Sequence, residues 1–167
     1  MEIGLSLGSN MGDRLARLRE ASRRIAAIPG VSITAQSPVY ETAPVGVSAE
    51  HRHIAFLNAV LIVESGADVA WLSERLHRIE DEMGRVRGPD RNSPRPIDID
   101  IIFAGGIGSS DQKLTLPHPR WAERRFVVQP LADVRPQLRL PGEARSVAEI
   151  LAALPETEAV AVFAPEW

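Results

Sequence analysis

The chain has 167 residues, enough for one domain with a sizeable core, and its 44% hydrophobic and 25% charged content is ordinary for a globular protein. A net charge of −3 and a pI near 5.8 exclude the broad basic field of a nucleic-acid binder, so anion binding must be local and no nucleic-acid partner is expected. No run reaches membrane-spanning length, the start lacks the layout of a signal peptide, and cysteine is absent; a cytoplasmic chain with no membrane partner, no disulfide and no thiolate chemistry is the expectation.

In chain order, Ile3 to Leu7 reads as a short buried strand, followed by a polar turn, Gly8-Ser9-Asn10-Met11-Gly12-Asp13, rich in helix-capping residues. Leu15, Leu18, Ile25 and Ile28 then share a helical face that Pro29-Gly30 stops. Val31 to Tyr40 reads as extended, residues 42–53 as a long loop, and Phe56 to Val63 as the next strand. Asp68 is placed to cap a helix in which Val69, Leu72, Leu76, Ile79 and Met83 recur at spacings of three and four, with Glu80 at the border of that face. After an arginine-bearing loop comes the strand around Asp98 and Asp100. Gly105 to Asp111 then suits a hairpin turn better than a phosphate cradle, because no helix pattern follows the glycines. A short helical patch near Arg124, Arg125 and Phe126, a small helix from Ser146 to Leu154 and a strand from Ala159 to Phe163 complete the chain.

This order of elements predicts an α+β fold: a ferredoxin-like βαββαβ sandwich, a single domain over residues 1–167, with a mainly antiparallel sheet, helices on one face and a C-terminal extension. The scaffold serves many activities, so function has to be read from a site.

In the run Pro94-Arg95-Pro96-Ile97-Asp98-Ile99-Asp100-Ile101, alternation puts the two carboxylates on one face of a strand, roughly 6–7 Å apart. A divalent cation or an arginine would relieve their repulsion. The competing reading is a half-buried strand with an ordinary wet face. Residues 85–95 carry four arginines, Arg85, Arg87, Arg91 and Arg95, and run straight into this strand. Arginine forks match phosphate oxygens, and Mg²⁺ takes one or two carboxylates plus substrate phosphates. Together the two features ask for a polyphosphate, whereas the loop alone also reads as a solvated basic segment that neutralises its acidic neighbours.

Six stretches carry a resemblance: Leu7-Gly8-Ser9-Asn10; Tyr40-Glu41-Thr42-Ala43-Pro44-Val45-Gly46; Phe56-Leu57-Asn58-Ala59; Ile79-Glu80 with Gly84-Arg85-Val86-Arg87; Pro94 to Asp100; and Leu116-Pro117-His118 with Arg124 and Phe126. In type and order they resemble the 6-hydroxymethyl-7,8-dihydropterin pyrophosphokinases of folate biosynthesis, over roughly residues 1 to 140. The resemblance implies transfer of pyrophosphate from ATP to the hydroxymethyl group of the reduced pterin, with AMP as the other product and two Mg²⁺ ions as cofactors. Small-molecule substrates and a monomer are expected.

Residue by residue, the resemblance implies metal binding by Asp98 and Asp100 and a catalytic phosphate clamp by Arg85 and Arg95. It assigns Glu80, Arg87, Ile101, Leu114, Thr115, His118 and Arg124 to ATP. It assigns Thr42, Pro44, Val45, Phe56, Asn58, Asn92 and Phe126 to the pterin. Core packing competes for Ile101, Leu114 and the phenylalanines, and an ion pair with a nearby arginine competes for Glu80. Asn58 is more telling, since an amide in an apolar strand needs hydrogen-bond partners. Two positions depart from the pattern: Asn92 stands where some members carry a tryptophan, and Pro119 where some carry a tyrosine. The rival readings are a non-catalytic module that uses the arginine loop as an anion patch, and an enzyme that transfers a single phosphoryl group.

Overall fold

The computed structural model describes residues 1–43, 54–90, 93–111, 113–156 and 159–167. Strand β1 (Glu2–Ser9) leads into helix α1 (Arg14–Ala26), whose N-terminus is capped by Asp13 accepting the Ala16 N–H at 3.1 Å. Its Leu18, Ala21 and Ile25 are buried, and Gly30, at φ 78°, supplies the left-handed residue after the helix. The stretch expected to be continuously extended is two strands, β2 (Val31–Gln36) and β3 (Val39–Thr42). Between them Pro38 has no N–H to give a ladder, and Ser37 instead pairs with Val60 through its backbone N–H and its Oγ, both at 2.9 Å.

Strand β4 (Phe56–Ser65) is followed by helix α2 (Val69–Glu82), capped by Asp68 accepting the Trp71 N–H at 3.0 Å, and then by strand β5 (Asp98–Ala104). The glycines after β5 make a turn, with Ile107 N–H donating to the Ala104 carbonyl at 3.0 Å. They do not bring the chain back along β5: β6 (Ser109–Ser110) pairs with β7 (Thr115–Leu116) as a separate small ribbon. A 3₁₀ turn (Trp121–Glu123) and helices α3 (Arg125–Val134) and α4 (Val147–Ala153) follow, the last closed by a capping box between Ser146 and Glu149. Strand β8 (Val160–Ala164) completes the described elements, among which no helix is long and apolar enough to cross a membrane.

The main sheet runs β5-β1-β4-β3-β8, with β2 also on β4, and all its pairs are antiparallel. The expectation that helices cover only one face is corrected: both faces are covered. One core joins Leu5 and Leu7 of β1, Leu61 and Val63 of β4 and Ile99 of β5 to Leu18 and Ile25 of α1 and Leu72 and Leu76 of α2. The second joins Val60 and Ile62 of β4 and Phe103 of β5 to Val128 and Leu131 of α3 and Val147 and Ile150 of α4. The cause lies in β4, where Leu57 through Val63 is apolar on both faces apart from Asn58, so each face needs a cover.

Gly4 pairs with Phe103 and Leu5 with Ile101, which leaves Ile102 as the extra residue of a bulge. The bulge lets Ile102 and Phe103 both join the second core. Gly4 makes the space: a Cβ there would stand 2.7 Å from Phe103 Cδ1.

Candidate active site

The strand register sets out the site. Gly8 pairs with Asp98 on one side and Asn58 on the other, and Asn58 pairs with Tyr40. Directly opposed residues in a sheet share a face, so Asp98, Gly8 and Asn58 form a row, with Asp98 and Asn58 two strand spacings, roughly 9–10 Å, apart. Gly8 keeps the middle of the row open, and a Cβ there would come 3.1 Å from Asn58 Oδ1. This face is the one that α3 packs on, since Tyr40 donates its hydroxyl hydrogen to Asp133 of that helix. Beyond the start of α3 none of the described helices covers this face, and among the described residues a cleft of about 820 Å³ opens over it.

Of the residues singled out from the sequence, Thr42, Phe56, Asn58, Arg85, Arg87, Arg95, Asp98, Asp100, His118, Arg124 and Phe126 all line this cleft. The arginine loop and β5 bring one group, β3 and β4 another, and the start of α3 closes the wall. Glu80, Ile101, Leu114 and Thr115 are not among the lining residues. The side chains of Ile101 and Leu114 pack with the first core, and Thr115 is exposed, its Oγ1 donating to the Asp111 carbonyl at 3.2 Å. Pro44, Val45 and Asn92 lie outside the described residues.

Glu80 is 1% exposed yet holds three partners. Its carboxylate receives Arg85, Arg87 at 2.6 Å and the backbone N–H of Ile99 at 2.7 Å. Burial pushes this carboxyl up to about 7 against the pull of Arg85 and of the Ile99 hydrogen bond. Arg85 also bonds Asp98, and Arg95 reaches the other Asp98 oxygen at 3.3 Å, so two guanidiniums flank one carboxylate. Asp98 raises the Arg85 pKa further against the opposing effect of burial, which is the largest single influence on that group.

Asp100 is pushed up to about 6, first by burial and then by the charge of Asp98. Two acids on one face with that repulsion suit a divalent cation. Among the described residues no three histidine, aspartate or glutamate side chains gather into a cage. A pair of carboxylates facing an open cleft lined by arginines is a donor set Mg²⁺ accepts, so the residues present fit the ion.

His118 is held from both sides: its N–H donates to the Ile102 carbonyl at 2.8 Å, and its Nδ1 accepts the Arg120 N–H at 3.1 Å. That acceptor role puts the proton of the neutral ring on Nε2, and burial with the nearby Arg124 lowers the pKa and favours the neutral form. Arg124 lies over the Phe126 ring, 5.7 Å from its centroid. In Asn58 the Nδ2 donates to Thr42 Oγ1 at 2.7 Å, both residues being buried, which fixes the amide in one orientation.

Asn10 has a role that its place in a motif did not reveal. Its Oδ1 accepts the Arg95 N–H at 2.7 Å and its own N–H donates to the Arg95 carbonyl at 3.3 Å. The end of β1 therefore grips the backbone of Arg95 from a distance of 85 residues in sequence. A capping-type side chain just past a strand was the available signal, but its partner lay beyond any local pattern.

Residues 4–136 match the family model described as 7,8-dihydro-6-hydroxymethylpterin-pyrophosphokinase. Among curated proteins the chain is 41% identical over 150 residues to a 2-amino-4-hydroxy-6-hydroxymethyldihydropteridine pyrophosphokinase of Methylorubrum extorquens, covering 90% of this chain and 91% of that one. It is also 41% identical over 133 residues to the mitochondrial folate synthesis bifunctional protein of Pisum sativum, covering 80% of this chain but only 25% of the pea protein. Among solved structures it is similar to Plasmodium falciparum HPPK-DHPS with pteroate, with a TM-score of 0.68 at 14% identity, covering 90% of this chain and 42% of that one. That last likeness speaks for the fold, and the family model and the full-length bacterial relative decide the rest: the chain belongs to the 7,8-dihydro-6-hydroxymethylpterin-pyrophosphokinase family.

Proposed function

We propose that the chain transfers the terminal pyrophosphoryl group of ATP to the hydroxymethyl oxygen of 6-hydroxymethyl-7,8-dihydropterin in folate synthesis, releasing AMP. The observation that supports this reading is the row Asp98, Gly8, Asn58 along one cleft, with the phosphates read at the Asp98 end and the ring at the Asn58 end. A bond forms between the pterin hydroxymethyl oxygen and the β-phosphorus, the hydroxyl proton leaves to solvent, and the bond from that phosphorus to the α–β bridging oxygen breaks, leaving the oxygen on AMP.

Asp98 and Asp100 would hold Mg²⁺, two ions in the full reading; when bound, the metal supplies neutralisation of phosphate charge and a more acidic attacking hydroxyl. Arg85 and Arg95, already converging on Asp98, clamp the transferred phosphates in forked geometry, and positioning with charge stabilisation supplies the rate. Arg87 and Arg124 steady the nucleotide, and His118 donates from Nε2 to a phosphate oxygen. Glu80 serves ATP from behind, through the arginines it holds. β5 ends the sheet and β7 lies against it. In this reading Ile101, Leu114 and Thr115, which do not line the cleft, contribute to the nucleotide through backbone groups.

The pterin is a flat ring with a donor and acceptor edge. Asn58, oriented by Thr42, reads that edge, while Phe56 and Phe126 face its two sides from β4 and α3. Pro44, Val45 and Asn92 belong to the same pocket in this reading.

The topology is read as ferredoxin-like βαββαβ. Support comes from counting β2 and β3 as one interrupted strand, which gives the antiparallel order β5-β1-β4-β2/β3 with α1 and α2 on one face. The C-terminal extension then adds α3, α4 and β8. A single domain is supported by the two cores sharing β4. A monomer in the cytoplasm completes the reading, ATP being the co-substrate.

Incubation with MgATP and the reduced pterin tests the reading. AMP with a diphosphorylated pterin is the expected pair, whereas ADP would mean single-phosphoryl transfer and no turnover would leave only a binding module.

A further inference from the structure

Arg14 stands in the first turn of α1, yet its guanidinium serves the two strand ends that frame the ring-binding end of the cleft. Nη1 donates to the Ala55 carbonyl at 2.9 Å and Nη2 to Glu41 Oε2 at 2.8 Å. The last registered pair between β3 and β4 is Thr42 with Phe56, so Glu41 and Ala55 are the residues just before each member of that pair. A single side chain thus spans the two strands at the end of their described pairing. The C-terminal strand backs the arrangement. Thr42 pairs with Val160 of β8, and the Phe163 ring of β8 lies 5.7 Å from Arg14 Cζ.

We infer that Arg14 is a positioning residue for the pterin, acting through Glu41 and Ala55 on Thr42, Phe56 and Asn58; this rests on reading those three as pterin contacts. Ladder ends fray first, and among the described residues the β3–β4 pairing has three registered pairs. When the end opens, Thr42 Oγ1 leaves the Asn58 amide, which then loses its fixed orientation, and the Phe56 ring moves with its strand. The phosphate end is held separately, by Asn10 on Arg95 and by Glu80 on Ile99. Loss of Arg14 therefore weakens pterin binding and leaves the chemistry at Asp98 in place.

With side chains 25% and 42% exposed, the charge pairing of Arg14 and Glu41 is screened, and the consequence comes from the fork reaching two strands at once. A lysine keeps the charge but makes a point contact in place of the fork.

Steady-state kinetics of Arg14→Ala and Arg14→Lys test the inference. KM for the pterin is expected to rise about tenfold in Arg14→Ala, the scale of one charge-assisted hydrogen bond, with kcat and KM for ATP near wild type. Arg14→Lys, the variant to use should the alanine variant not fold, is expected to fall between. Glu41→Gln, which keeps an oxygen acceptor, should raise KM for the pterin less than Glu41→Leu. An unchanged KM for the pterin in Arg14→Ala, a parallel change in both KM values, or a lysine variant equal to wild type would each overturn it. Direct titration of pterin fluorescence separates the two levels: wild-type protein that binds no pterin and makes no AMP sinks the functional assignment and this inference with it. Active wild type with undiminished pterin affinity in Arg14→Ala sinks the positioning role alone.

Discussion

The Glu80 carboxylate accepts the backbone N–H of Ile99 at 2.7 Å, and Ile99 stands between Asp98 and Asp100. The same carboxylate holds Arg85 and Arg87, so one buried acid on α2 ties the carboxylate strand to the arginine loop. A removed partner in such a network leaves the others buried and under-satisfied.

Glu80→Gln keeps an acceptor for Ile99 but loses the charge that holds the arginines, and kcat is expected to fall by about tenfold. It also has a pH signature. Burial raises the Glu80 pKa from 4.5 to about 7, so the native state binds more protons than the unfolded chain between those values. Stability therefore falls as pH rises from the unfolded value through about 7, where the native group is still half protonated. Asp100, raised from 3.8 to about 6, contributes with the same sign over a lower range. The decline in thermal midpoint from acidic to neutral pH should be shallower in Glu80→Gln than in wild type; equal slopes would count against the buried charge as its source.

If Asp98 and Asp100 hold the metal as proposed, Asp98→Asn and Asp100→Asn should each lower turnover by on the order of a hundredfold to a thousandfold with an unchanged circular dichroism spectrum. Calorimetric titration of Mg²⁺ in the presence of a non-hydrolysable ATP analogue should show weakened metal binding in both variants. Full activity in either one excludes that carboxylate as a metal ligand.

Under the proposed clamp role, Arg95→Ala should reduce kcat more than it raises KM for ATP, since charge accumulates on the phosphates during transfer. Arg95→Lys should lose much of the activity as well, a point charge being unable to reproduce the fork. A pure rise in KM would assign Arg95 to ground-state binding.

Gly8→Ala puts a methyl group 3.1 Å from Asn58 Oδ1 in the middle of the row that links the two ends of the cleft. A rise in KM for the pterin, with little change in thermal midpoint, is the expected outcome. The same substitution at Gly4 acts on stability instead. Its Cβ would stand 2.7 Å from Cδ1 of a Phe103 ring that is 1% exposed. Overpacking of this kind costs about 1–3 kcal/mol. Each kcal/mol lowers the midpoint of a domain this size by about 2–4 °C. Differential scanning calorimetry reads the difference, with activity preserved at low temperature.

Much of the site was legible from local pattern. Period-two alternation alone put Asp98 and Asp100 on one face, and the cleft indeed receives both. The polar turn Gly8–Asp13 announced α1 and Asp68 announced α2, because a cap acts within one turn of its own position; the structure gives the first of these caps to Asp13. The order of the motifs, from Gly8 to Phe126, was enough to name the family that the full-length relative and the family model agree on.

What the tertiary structure alone decided were relationships with no local signature. A helix layer on the second face followed from β4 being apolar both ways, yet α3 and α4 lie far along the chain from it. Glu80 could be read as a nucleotide contact or an ion pair, and only the packing of α2 against β5 turned it into a buried anchor behind the cleft. The grip of Asn10 on Arg95 and the fork of Arg14 across Glu41 and Ala55 join residues brought together by strand register. Composition and periodicity report which face a side chain takes within its own element. Which element it meets is set by the pairing of strands distant in sequence, and that is a property of the whole fold.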